Sequence, residues 1–169
     1  MHPLSVAQLN VRSPASFTVD ARLAVHTANQ SGQVALHWQH FPARDVLSFY
    51  SPLGQTLGVL TSDVQGAQWV DTDQHVQQGE SVAALTQQWL GWSLPLQDLS
   101  FWVVGVPATG KTYVVAHQGD TLQLTQSGWT VTYQRWGEVN GQALPDKLMF
   151  SGAGITGHWV VSHWGDAHD

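Results

Sequence analysis

Apolar side chains recur at every second residue in stretch after stretch of this chain, a period that dictates extended backbone with one face turned to a core. Phe17, Val19, Ala21, Leu23 and Val25 alternate with polar or charged neighbours. Val34, Leu36 and Trp38 repeat the pattern, Leu47 with Phe49 and Leu57 with Val59 follow, and Ala67 to Thr72 makes a fifth short strand. Turn residues separate them at Asn29-Gln30-Ser31-Gly32, Pro42-Ala43-Arg44-Asp45 and Ser51-Pro52-Leu53-Gly54. Short strands with turn signals about every ten residues predict an antiparallel meander.

At Ser81 the period changes. Val82, Leu85 and Trp89 stand at i, i+3 and i+7, Ser81 can cap the first turn and Gly91 can stop the run, so a helix is predicted. Pro95 suits the first turn of a second short helix, with Asp98 near its positive end and Leu96, Leu99, Trp102 and Val103 on one face. Phe101 to Val104 would also suit a sheet. After Lys111 the alternation returns at Tyr113/Val115, Leu122/Leu124, Trp129/Val131/Tyr133, Leu148/Phe150 and Trp159/Val161. Strands, two adjacent helices, then strands again predict a mainly β chain: one antiparallel sheet with helices over one face. At 169 residues the chain has material for one core rather than two. We therefore expect a single domain over 16–169, with residues 1–15 (Leu4, Val6, Leu9 and Val11 among polar residues and prolines) forming an arm or one short helix.

Composition narrows the function classes. Charged residues make up 11%, less than half the usual share, while there are nine Trp; disordered chains show the reverse bias. Eighteen Gln equal the whole number of charges, so neutral amides must wet much of the surface. A net charge of −6 with no Lys/Arg cluster gives neither nucleic acid nor an anionic bilayer an electrostatic handle. Zero cysteines exclude disulfides, thiolate catalysis and Cys-ligated zinc.

The string Gly105 to Thr112, ending Gly110-Lys111-Thr112, satisfies the phosphate-loop pattern GxxxxGK[ST]. That loop works by leaving a buried strand and opening a helix whose first amides hold phosphate. Here a helix is predicted before it and the β-branched Tyr113-Val114-Val115 after it, so nucleotide binding is not expected. The closest histidine pairs, His37 with His40 and His158 with His163, stand on opposite faces of a strand and cannot share an ion without a bend. Asp71 and Asp73 belong to a turn, where Asp is common for backbone reasons. No strained Gly-x-Ser-x-Gly elbow selects a nucleophile. The expectation is no enzyme, no catalytic residue, no metal and no cofactor.

Trp38, Trp129 and Trp159 share the phase of Val and Leu and so line an interior. That interior is either a packed core or a cavity, because a curled sheet of ten or so strands encloses more space than side chains fill. The competing use is a Trp-lined β-module that binds a small apolar ligand or displays planar rings at its surface to stack on a sugar. Leu53 has the opposite character, a large apolar residue at a turn tip where polar residues are expected.

Taken in order, these features resemble the LolB family of outer-membrane lipoprotein receptors. The resemblance runs from Ser16 to Trp164. It is carried by the strand Phe17 to Val25, by Ser51-Pro52-Leu53-Gly54, and by Gly91, Pro95, Leu99, Trp102, Gly105 and Pro107 at the family's spacing. Gly128-Trp129, Val131, Tyr133, Leu144-Pro145 and Trp159 continue it. The resemblance implies an unclosed antiparallel barrel of about eleven strands, with helices across its concave side and a hydrophobic cavity for acyl chains. Leu23, Val25, Leu36, Trp38, Phe49, Leu85, Trp89, Leu99, Trp102, Trp129, Val131 and Tyr133 are then the expected walls and lid. It implies a monomer that takes lipoproteins from a LolA-like periplasmic carrier, without nucleotide, and places them in outer-membrane lipid, with Leu53 on its Pro52-to-Gly54 loop serving delivery. Such proteins sit on the periplasmic face of the outer membrane through an acylated N-terminal Cys. That Cys is absent from this chain, and Met1 is expected to replace removed upstream residues.

Overall fold

A computed structural model describes residues 16–90 and 92–165, without the side chains of residues 89 and 90. The predicted arm over 1–15, Gly91 as helix stop and the Trp89 side chain lie outside what is described. Eleven strands form one antiparallel sheet: β1 (Phe17–His26), β2 (Ser31–Phe41), β3 (Arg44–Tyr50), β4 (Thr56–Asp63), β5 (Gly66–Asp71), β6 (Val76–Gly79), β7 (Tyr113–Gln118), β8 (Thr121–Gln126), β9 (Trp129–Val139), β10 (Gln142–Gly152) and β11 (Ile155–Gly165). Helices α1 (Val82–Leu90) and α2 (Leu96–Trp102) interrupt the strands between β6 and β7. The order is β6-β5-β4-β3-β2-β1-β11-β10-β9-β8-β7, so β6 and β7 are free edges and the sheet is not closed. No helix among the described residues is long and apolar enough to cross a membrane. The residues group into two compact units, one of 16–22, 33–96 and 162–165 and the other of 23–32 and 97–161.

In the first unit, Trp38 pairs with Leu47, Leu47 with Leu60 and Leu60 with Trp69. Trp38, Leu47 and Leu60 are sealed from water, as expected of one face of a meander. One strand departs from the predicted phase. Leu57 and Val59 were expected to point inward, but Phe49 pairs with Gly58 and Tyr50 with Thr56, which leaves Leu57 as an extra, exposed residue. That bulge shifts the pleat by one, and Gly58 and Leu60 face inward instead. Gly58 is needed there, because a Cβ would stand 2.5 Å from the Trp69 ring. Strand β6 was not anticipated; Val76-Gln77-Gln78-Gly79 offers one apolar residue and hence no period. Helix α1 is capped as its sequence requires, with the Ala84 amide donating to Ser81 Oγ at 3.1 Å. Thr86 donates to the Val82 carbonyl and accepts from the Leu94 amide, tying the helix to the segment after it.

In the second unit, α2 buries Leu99 and Trp102, followed by Val103, and its first residue, Leu96 of the first unit, is buried as well. This is the face expected from their spacing. Strand β7 carries the alternation Tyr113/Val115 without burial, since it is an edge: Tyr113 and Val114 are both exposed. Leu122, Leu124, Val131, Tyr133, Leu148 and Phe150 form the buried rows of β8 to β10. On β11 the inward phase holds at Ile155, Gly157 and Trp159 and then breaks. Val161, expected inward, is half-buried, and Trp164 is the next buried residue.

Candidate functional site

Gln126 is the polar centre of the second unit. It stands in phase with Leu122 and Leu124 on β8, so the pleat carries its amide into the interior, where it is 2% exposed. Its Oε1 accepts from Trp102 Nε1 at 2.9 Å and from the Ala108 amide at 2.8 Å. Its Nε2 donates to the carbonyls of Ala108 at 2.9 Å and Lys111 at 3.2 Å. One side chain thus fixes the end of α2 and both limbs of the loop after it. Tyr133 adds a second tie, its hydroxyl donating to the Trp102 carbonyl at 2.7 Å. Burial pushes that phenol far above its ordinary pKa, so it remains a neutral donor. A third tie is the ion pair of Lys111 with the nearly buried Asp98 at 2.7 Å.

These contacts explain the phosphate-loop string. Lys111 holds the carboxylate of α2, and the carbonyls of Ala108 and Lys111 hold Gln126. Gly105 has φ +88, and a Cβ on it would meet the Trp136 ring at 2.8 Å. The segment after Thr112 is strand β7, so the loop does not open into a helix.

The tip between β3 and β4 is built by backbone. Ser51 exchanges bonds with the far side of the turn: its amide donates to the Gln55 carbonyl, its carbonyl accepts from the Gly54 amide, and its Oγ accepts from the Gln55 amide. Gly54 closes the turn at φ +90. Leu53 gains nothing from this. It is 92% exposed between exposed Pro52 and Gly54.

The expected wall and lid residues separate by burial. In the second unit Leu23, Leu99, Trp102, Trp129, Val131 and Tyr133 are buried, and Val25 is half-buried. Val131 pairs with both Leu124 and Phe150, and Phe150 meets Trp129 at 5.8 Å between ring centroids. In the first unit Leu36, Trp38 and Leu85 are buried, and half-buried Phe49 pairs with Leu36 and meets the Trp69 ring at 5.7 Å. No tryptophan whose side chain is described is exposed, which leaves a sugar-stacking display without its rings. Gln126 and Tyr133 as anchors of α2 were missed; their phase with Leu122, Leu124 and Val131 was the available signal.

As their spacing on opposite faces of the strand requires, His37 and His40 share no partner. His37 binds Asp20 and His40 binds Asp45, each at 2.6 Å. Asp71 accepts from the Asp73 and His75 amides in the turn before β6, the backbone role expected of it.

The unclosed, eleven-stranded antiparallel sheet with two consecutive helices between its sixth and seventh strands is a fold shared with solved structures. The crystal structure of a LolA superfamily protein from Nitrosomonas europaea matches 97% of this chain and 92% of its own, with TM-score 0.57 at 10% identity. That of a putative outer membrane lipoprotein-sorting protein domain from Vibrio parahaemolyticus matches 94% and 87%, with TM-score 0.56 at 9% identity. At sequence level, residues 15–164 match the family described as "Outer membrane lipoprotein LolB". The outer-membrane lipoprotein LolB of Chromobacterium violaceum is 31% identical, over 92% of this chain and 84% of its own. The LolB of Neisseria meningitidis is 35% identical over 83% and 75%. The chain belongs to the LolB family of outer-membrane lipoproteins.

Proposed function

We propose that this chain is the outer-membrane receptor that accepts lipoproteins from a LolA-like periplasmic carrier, shelters their acyl chains and inserts them into outer-membrane lipid without nucleotide hydrolysis. Residues 16–169 act as one lipoprotein-binding domain, held at the periplasmic face of the outer membrane by an acylated N-terminal Cys outside this sequence. The observation that carries the reading is Leu53, which is 92% exposed on a turn closed by its own hydrogen bonds. A protein in water gains nothing from a leucine so placed, whereas a lipid surface would bury it.

Acyl chains are sheltered by apolar residues that are now closed to water. In the second unit the chain reaches Trp102, Val131 and Tyr133 when α2 lifts from β8 and β9, breaking the Gln126 and Tyr133 bonds. Each costs about 1 kcal/mol net, whereas each methylene buried returns about 0.8 kcal/mol. A 16-carbon chain held dry is favoured over water by about 12 kcal/mol, so release into water is too slow to matter. Transfer therefore runs directly from carrier to receptor to bilayer, down a gradient of apolar environment.

Leu53→Glu tests the delivery step. The variant should fold and take up lipoprotein as wild type does yet fail to pass it to liposomes; normal delivery would remove the tip from the mechanism. A fluorescent fatty acid tests the shelter, with binding read as quenched Trp emission. A folded protein that binds none would contradict the reading.

A further inference from the structure

One pair of histidines has no part in the fold's ion pairs or in the lipid-handling residues. His26 on β1 and His158 on β11 belong to the same compact unit, with ring centroids 5.6 Å apart and planes at 76°. Other histidines in this structure hold carboxylates: His37 with Asp20, His40 with Asp45, and His75 with Asp71 at 3.3 Å. Among the described residues, His26 and His158 have neither a carboxylate nor a hydrogen-bond partner, only each other. Because 132 positions separate them in sequence, no local spacing rule could have paired them.

A third donor lies beside them. In the β10–β11 register His158 stands directly opposite Met149, so the two side chains share a face. It is the outer face, because the flanking Leu148, Phe150, Gly157 and Trp159 all point inward and are buried. His26, His158 and Met149 thus make one cross-strand row over β1, β11 and β10.

An ion about 2.0–2.1 Å from an imidazole nitrogen is about 3.2 Å from that ring's centroid, so two imidazoles on one ion keep their centroids about 4.5 Å apart at a right angle and about 6.4 Å apart when collinear. The observed 5.6 Å lies between these limits, near the spacing of a trigonal ion. The donor set is two neutral nitrogens and a thioether, with no carboxylate. Hard cations such as calcium and magnesium require oxygen and are not served here. Exposed Lys147, two residues from Met149 on the same face, further disfavours a dication. A thioether beside two imidazoles suits a soft monovalent ion. We propose that His26, His158 and Met149 form a surface site for cuprous copper, distinct from the lipid-handling residues.

The test is titration of the intact protein with Cu(I) alone, under anaerobic reducing conditions, against a chromophoric Cu(I) chelator. One equivalent should bind. His158→Ala and His26→Gln should each abolish competition, and Met149→Leu should weaken Cu(I) at least tenfold. His2→Ala and His117→Ala should leave Cu(I) affinity as in wild type. Circular dichroism of each variant checks folding, which these outer-face changes should not disturb. Absence of stoichiometric binding, or binding that survives both His26→Gln and His158→Ala, would overturn the site. Loss of binding in His2→Ala with retention in His158→Ala would overturn it equally.

Discussion

Gln126 and Leu53 occupy opposite extremes of this molecule. A side chain with four hydrogen-bonding obligations is 2% exposed, and an aliphatic one with none is 92% exposed. The interior amide is fully occupied, spending both its oxygen and its nitrogen on Trp102, Ala108 and Lys111. The exposed leucine touches nothing that the fold needs. The two residues part accordingly: Gln126 is structural, its groups satisfied within the chain, whereas Leu53, whose side chain the fold does not use, is the residue proposed for delivery.

The comparison breaks most visibly at Gln126. Gln126→Leu fits the space but strands the Trp102 Nε1 donor and the Ala108 amide in an apolar interior, at about 1–3 kcal/mol each. The expected loss is about 4 kcal/mol in urea-unfolding free energy; a loss below about 1 kcal/mol would show that the amide does not anchor α2. Tyr133→Phe removes one tie but leaves the Trp102 carbonyl its bond from the Gly105 amide, so only about 1 kcal/mol is expected by the same measurement. If α2 must lift for lipid to enter, Tyr133→Phe should also take up fluorescent fatty acid faster than wild type. Leu53→Glu, by contrast, should change unfolding free energy by less than about 0.5 kcal/mol, which separates its effect on delivery from any effect on folding.

Much of the architecture was legible because it rests on local periodicity. Phe17 to Val25 alternates without interruption and is β1, and Ser81 caps α1 as its position relative to Val82 and Leu85 required. What failed to show was set by partners remote in sequence. The bulge at Leu57 depends on how β4 meets β3, and Gly58 is called for by Trp69 on the next strand. Strand β6 exists because β5 offers it an edge. For the candidate site, Leu53 was legible as an apolar residue inside a turn motif, whereas Gln126 was hidden by its type, an amide among eighteen in a chain that wets its surface with them. Its phase with Leu122 and Leu124 carried the information that its chemistry concealed.

Asp71 sharpens the comparison from the other side, as a polar group at the surface whose obligations are met within the chain. Its carboxylate accepts from the amides of His75 and Asp73, each at 2.9 Å, and so shapes the turn into β6. The His75 backbone bond, with the Asp73 amide and the nearby His75 ring, outweighs desolvation and holds its pKa below the ordinary 3.8. A carboxyl whose folded pKa is depressed supports the fold above the unfolded value and withdraws that support as pH falls through the lowered folded value. The turn should therefore hold at pH 5 and loosen only below pH 3.8. Carbon-detected NMR titration of the Asp71 carboxyl should give a midpoint under 3.8, and exchange of the Asp73 and His75 amides should quicken over the same range. Asp71→Asn should erase that pH dependence while leaving lipoprotein delivery untouched. A midpoint at or above the ordinary value would show that the turn is shaped without Asp71, and its bonds within the chain would then fail to mark it as structural in the way they mark Gln126.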